Sequence, residues 1–100
     1  MKRVVVIYGV AADSAAFHKH YRDVHVPLVL AMPNVAEFRF SKGPVASGGA
    51  AAPAELVAFL DYASSEDLEA SMASPAGQAA VADLANFATG GASILTVELG

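Results

Sequence analysis

The sequence predicts an α+β domain of the ferredoxin-like kind, with elements in the order β-α-β-β-α-β. Three observations predict it. Four short runs rich in β-branched and aromatic residues are separated by turn signals. Two capped helical stretches fall after the first run and after the third. The runs are apolar on both faces, although both helices of such an order lie on one face of a four-stranded antiparallel sheet. The uncovered face is therefore expected to pack against a second copy, giving a homodimer through the sheet.

Strand one is read over Val4 to Val10, with Val4, Val6 and Tyr8 on one side and Val5 and Ile7 on the other. Asp13 is the expected N-cap of the first helix. Phe17, Tyr21, Val24 and Leu28 then repeat at steps of 4, 3 and 4, a single helical stripe. Pro27 is expected to break or bend that helix near His25, because it lacks a backbone donor and crowds the preceding turn. A short helical piece continues to Met32, and Pro33-Asn34 turns the chain. Strand two, Val35 to Ser41, alternates Glu37 and Arg39 against Ala36, Phe38 and Phe40. The Gly-, Ala- and Pro-rich stretch at 43–54 is long for a loop and is a candidate lid. Strand three is Glu55 to Tyr62, and Ser64 caps a helix to Ala73 with Asp67 completing a capping box. Ser74-Pro75 restarts a helix whose stripe is Val81, Leu84 and Phe87, ending before Gly90-Gly91. Ile94 to Leu99 is strand four.

Composition narrows the function classes. The 100 residues make one domain spanning 1–100, 55% hydrophobic and 16% charged. Net charge is −4 and the six basic residues are scattered, which argues against nucleic acid and anionic membranes as partners. The absence of cysteine excludes disulfides, thiolate metal sites and cysteine nucleophiles. The opening MKRVVVIYGVAAD reads as a buried strand rather than a signal peptide, and no apolar run has the length of a membrane span. The expectation is a cytoplasmic protein.

All three histidines lie in FHKHYRDVHVPL, residues 17–28. On a helix His18 and His20 sit about 200° apart, and His18 and His25 are roughly 10 Å apart along the axis. Neither pair closes on one ion, Asp23 and Glu37 add no facing ligand, and no metal is expected. His18 reads as an exposed residue and His20 as a boundary residue. His25 lies one turn after Tyr21, on the flank of the apolar stripe, and two readings stay open: a general base facing the space between helix and sheet, or a structural histidine bonding its own helix end. Tyr8, Phe38, Phe40, Phe59 and Phe87 are candidates to line an aromatic pocket. Asp61 reads as an exposed strand carboxylate rather than a group that orients a base. No phosphate loop, nucleophile elbow or dinucleotide motif is present.

F-x-x-x-Y-x-x-x-H-x-P-L, here Phe17, Tyr21, His25, Pro27 and Leu28, together with Ala31 to Val35 (AMPNV) and Met72 to Gln78 (MASPAGQ), resembles the EthD-like proteins of the dimeric α+β barrel superfamily. Asn34 stands where relatives carry glycine, and asparagine is the next best residue for a left-handed turn. The resemblance covers nearly the whole chain. It implies a dimeric α+β barrel with a pocket between each sheet and its helices, into which His25 points. The superfamily spans cofactor-free monooxygenases, polyketide cyclases, lactone isomerases, haem-degrading oxygenases and proteins of no known activity. Ala76 to Phe87 lacks the histidine that the haem-degrading relatives need, and the chain lacks the isomerases' cysteine.

The leading expectation is a cofactor-independent oxidoreductase or related catabolic enzyme acting on a small, apolar, cyclic or aromatic molecule. His25 would be its base, with Tyr21 or Tyr62 bonding the developing oxyanion. Tyr8, Phe38, Phe40, Phe59, Tyr62 and Phe87 would bind the substrate, and no cofactor is required. A non-catalytic module that binds a hydrophobic metabolite needs the same pocket without the proton chemistry, and both readings stand at this point.

Overall fold

In the computed structural model, which describes residues 1–48 and 54–100, β1 (Lys2–Tyr8) lies at the centre of a four-stranded sheet. β2 (Glu37–Phe40) and β3 (Leu56–Tyr62) follow, with β4 (Ala92–Glu98) last, in the spatial order β2-β3-β1-β4. Every pairing is antiparallel, with Val4 opposite Leu60 on one side and opposite Thr96 on the other. This is the ferredoxin-like arrangement that the element order predicts. Only the strand ends differ: β1 begins and ends two residues earlier than read, and β4 also starts earlier. The lid reading of 43–54 falls partly on residues 49–53, outside the described ones.

α1 (Ser14–His20) begins where Asp13 Oδ1 accepts the Ala16 N–H at 3.0 Å, as the cap predicts. The predicted break at Pro27 does not occur. Helical backbone runs on through a π-helical segment, Tyr21–His25, into α2 (Val26–Leu30), with right-handed helical angles at each junction. In the wide turn the Val26 N–H reaches back five residues to the Tyr21 carbonyl, and the chain widens by one residue where Pro27 has no N–H to offer. The wide turn also corrects the stripe. Phe17, Tyr21, His25 and Val29, at steady steps of four, are buried, while Val24 is 42% exposed. Asn34 takes a positive φ of 65°, as its place in the turn requires.

α3 (Ser65–Ala73) starts where Ser64 Oγ accepts the Asp67 N–H at 3.1 Å. α4 (Pro75–Phe87) starts where Ser74 Oγ accepts the Gly77 N–H. The face of α4 that turns inward is Gly77, Ala80, Asp83 and Phe87, not the predicted Val81, Leu84 and Phe87: Val81 is exposed and Leu84 only half-buried. Small residues let α4 approach closely; a Cβ on Gly77 would stand 2.1 Å from the Ser71 carbonyl oxygen.

The core joins Val4, Val6, Tyr8, Leu56, Ala58, Leu60 and Tyr62 of the sheet to Phe17, Tyr21, Met32 and Phe87 above it. Among the described residues no helix lies over the other sheet face, with Val5, Ile7, Val57, Phe59, Leu95 and Val97. Asp61 corrects a further expectation. It is 4% exposed, because Arg3 on the neighbouring strand binds it through Nε at 2.7 Å and Nη2 at 2.9 Å.

Candidate functional site

Between sheet and helices lies a narrow apolar cleft of about 40 Å³, walled by Val4, Val6, Tyr8, Tyr21, His25 and Phe38 and opening toward Val81, Leu84 and Ile94. Strand alternation puts Tyr8 on the inner face at the end of β1. The steps of four through the π-helical turn bring Tyr21 and His25 to the same place from above.

His25 is 4% exposed and held at both ring nitrogens. Its Nδ1 is 2.9 Å from Asp83 Oδ2, and its Nε2 is 3.4 Å from the Tyr8 hydroxyl. Asp83, 5% exposed, also receives His20 Nε2 at 2.9 Å on Oδ1 and 3.1 Å on Oδ2, and Asn86 Nδ2 at 3.0 Å on Oδ1. A carboxylate only accepts, so the nitrogens that face it carry hydrogen. Neutral His25 is therefore the Nδ1–H tautomer, its Nε2 lone pair directed at Tyr8 and the cleft. Phe87 backs the whole arrangement, stacked on His20 at 5.0 Å and tilted against His25 at 4.8 Å.

The electrostatics follow from burial and these partners. Burial pushes the His25 imidazolium below the ordinary histidine range, and the Asp83 carboxylate offsets only part of this. Burial works to raise the Asp83 carboxyl, but hydrogen bonds from Asn86, His20 and His25 together outweigh it and keep the group below the usual carboxylate range. Burial pushes the Tyr8 and Tyr21 phenols well up, so both are neutral hydroxyls. The Tyr21 hydroxyl is fully buried and, among the described residues, has no hydrogen-bond partner. A buried hydroxyl left unmatched costs about 1–3 kcal/mol. Together the groups form a base with a fixed tautomer beside two phenols able to donate to an oxygen of a bound molecule.

The predicted site residues divide. Tyr8, Tyr21, His25 and Phe38 line the cleft, Phe87 packs behind His25, and Phe40 meets Tyr21 edge-on at 5.2 Å from the sheet edge. Phe59 does not join them: it lies on the opposite sheet face, beneath the Arg3 guanidinium at 5.4 Å. Tyr62 is fully buried outside the cleft, its hydroxyl 2.9 Å from Ser71 Oγ. His18, expected to be free on the surface, bonds Glu55 at 2.9 Å. Asp83 and the part His20 plays were missed. One signal was available: Asp83 is the only charged residue of α4, three residues after Ala80 and four before Phe87. Among the described residues no set of three or more His, Asp or Glu side chains is arranged to hold a metal.

A ferredoxin-like domain carrying a buried histidine in an apolar cleft is the class that fold and site define. Comparison with known proteins makes it particular: residues 11–91 match the model of the EthD domain, and the chain belongs to the EthD family. It is 42% identical, over 95% of its length and 91% of the relative's, to an uncharacterized 11.0 kDa protein in the thcB-thcC intergenic region of Rhodococcus erythropolis. An ethyl tert-butyl ether d (EthD) family protein from Bacillus halodurans superposes with a TM-score of 0.91 at 24% identity, covering 100% of this chain and 99% of that one. Similarity of fold alone extends to a dimeric ferredoxin-like protein of unknown function from Thermobifida fusca, at 14% identity and a TM-score of 0.72, covering 98% and 90%. It extends also to SnoaB, a cofactor-independent oxygenase from Streptomyces nogalater, at 10% identity and 0.68, covering 98% and 91%.

Proposed function

We infer that this protein is a cofactor-independent enzyme acting on a small apolar molecule, cyclic or aromatic, with His25 as its general base. One observation carries the reading: a buried imidazole fixed by Asp83 presents its Nε2, in long contact with the Tyr8 hydroxyl, to an apolar cleft, beside a buried Tyr21 hydroxyl that has no partner among the described residues. The Tyr8 O–H turns from Nε2 to the substrate, Nε2 removes an acidic proton, and the Tyr21 and Tyr8 hydroxyls donate to the oxygen on which charge develops. Apolar walls strengthen those bonds by keeping water out. In an oxygenase the resulting carbanion is the electron donor and dioxygen the acceptor. SnoaB, with this fold, is a cofactor-independent oxygenase, which supports the oxidoreductase branch. A cavity of about 40 Å³ holds only a few water-sized groups, so a substrate enters by displacing the rim side chains.

The uncovered sheet face, largely apolar but carrying the Arg3–Asp61 and Arg39–Glu37 pairs and Ser93, is the surface through which two copies associate. The dimeric relative of the same fold supports this.

Native mass spectrometry of the protein taken from cells tests pocket and assembly together, expecting a dimer that retains a small organic molecule. With that molecule's class in hand, His25→Ala is expected to lower turnover by roughly 10²–10⁴-fold. Full turnover in the variant would sink the mechanism, and binding without turnover in either protein would leave a carrier.

A further inference from the structure

Asp83 accepts from two imidazoles, and the two differ in their access to water. The side chain of His25 is 5% exposed and that of His20 is 27% exposed. His20 forms part of the wall of a separate surface groove of about 240 Å³, with Asp13, Ala16, Asn86 and Thr89. Its Nε2 is spent on Asp83, which leaves Nδ1 as the ring nitrogen free to exchange with solvent. Every charged or titratable group facing the pair can be named. Tyr8 comes from β1, Tyr21 from the histidines' own helix, Asp83 from α4, and Asp13 stands across the groove. Phe17 and Phe87 supply the rest of the wall as apolar rings.

One carboxylate with one imidazolium is a neutral cluster. With two it carries a buried positive charge, and with none a buried negative one, both costly where water is excluded. The single cation is best kept where it still touches water. We propose that His20 holds this compensating proton through Asp83 and gives it up when His25 takes one, so that His20 is the solvent-facing arm that positions the charge of the base. In the abstraction step the N–H bond forms at His25 Nε2 with the substrate's proton, and the N–H bond at His20 Nδ1 breaks, its proton leaving to water in the groove; when His25 later releases its proton, His20 takes one back from that water and the cycle closes. Asp83 stays a carboxylate throughout and no proton crosses it, so the cluster's charge is unchanged. Burial, which lowers the proton affinity of His25, works in the same direction.

The role rests on His25 being the base, but it is measured on the free protein, so either can fail without the other. Imidazole ¹⁵N shifts of the full chain, followed from pH 8 to pH 4.5, report tautomer and charge at each ring. As pH falls, His20 is expected to become imidazolium before His25, which keeps the neutral Nδ1–H form the longer of the two. His20→Phe keeps a ring against Phe87 but removes the proton site, and His20→Gln serves if the first variant does not fold. In either, His25 has Asp83 to itself, and its midpoint is expected to rise by about one pH unit, a tenfold gain in proton affinity. The acid limb of kcat/KM should move up by the same amount. A His25 midpoint that stays where it was, or a His25 that charges before His20 in the parent protein, overturns the proposal.

Discussion

Two buried carboxylates on opposite sides of the sheet, Asp61 at 4% exposure and Asp83 at 5%, solve the same problem differently. Asp61 faces Arg3, a guanidinium that is charged at every working pH and binds it through two nitrogens. Asp83 faces two imidazoles, side chains that can gain and lose a proton where a guanidinium cannot. Both carboxyls are held low, Asp61 chiefly by the Arg3 hydrogen bond, Asp83 by several weaker donors acting against burial. Burial alone therefore says little about a carboxylate's use. A permanent partner makes a fixed joint, and a titratable one makes a group that can support proton transfer.

The contrast breaks most sharply under paired substitutions. Asp83→Asn removes the acceptor that fixes the His25 tautomer and is expected to lower turnover by roughly 10²–10⁴-fold. Asp61→Asn is expected to leave turnover unchanged while lowering the urea midpoint, because it leaves Arg3 half-paired. Equal losses of activity in the two variants would erase the distinction.

A second test uses pH and stability. Burial disfavours the His25 imidazolium in the fold, so below about 6.5 the unfolded chain binds a proton that the native chain does not. Stability then falls with pH until the native imidazole itself protonates. One such proton makes a slope of at most about 1.4 kcal/mol per pH unit. The depressed carboxyls act lower: their stabilisation is complete above about pH 4 and is lost only as pH drops through their native values. His25→Gln should flatten the upper part of the fall, measured by urea unfolding at pH 7, 6 and 5, and Asp61→Asn only the lower part, measured the same way below pH 4. An unchanged slope above pH 5 in His25→Gln would contradict this assignment.

The smallest shift is expected at Tyr21. Deleting its unmatched hydroxyl in Tyr21→Phe should raise stability by about 1 kcal/mol, because a desolvated donor disappears. The same change should cost turnover, since a side chain that serves only packing would lose nothing. A destabilised Tyr21→Phe would show that the hydroxyl has a partner after all.

How legible all this was in the sequence depended on the kind of signal. Strands announced themselves because β1 and β3 are apolar on both faces, and the helix starts because Asp13, Ser64 and Ser74 are strong caps. His25 could be singled out from its place beside Tyr21, though for a partly mistaken reason: no break at Pro27 frees its surroundings. The stripe through Val24 and Leu28 assumed 3.6 residues per turn, and the wide turn at Tyr21–His25 does not obey that period. The inward face of α4 was misread because its residues are glycine, alanine and a carboxylate, which carry no hydrophobic signal while the exposed Val81 does. Asp61 and Asp83 are buried by partners 58 residues away, Arg3 and His25, and no local pattern encodes such pairs.

The wide turn also has a genealogy written into it. A π-helical segment is an α-helix with one surplus residue, and excising that residue would restore the ordinary period. If the exposed Val24 were removed, Phe17, Tyr21, the histidine and the valine after it would stand at steps of 4, 3 and 4, the stripe of an ordinary α-helix, and the imidazole would still face inward. The wide turn thus takes up one extra residue on the exposed side and leaves the buried side in register. A single-codon insertion at this place is absorbed within one turn, and the face that carries the site does not record it.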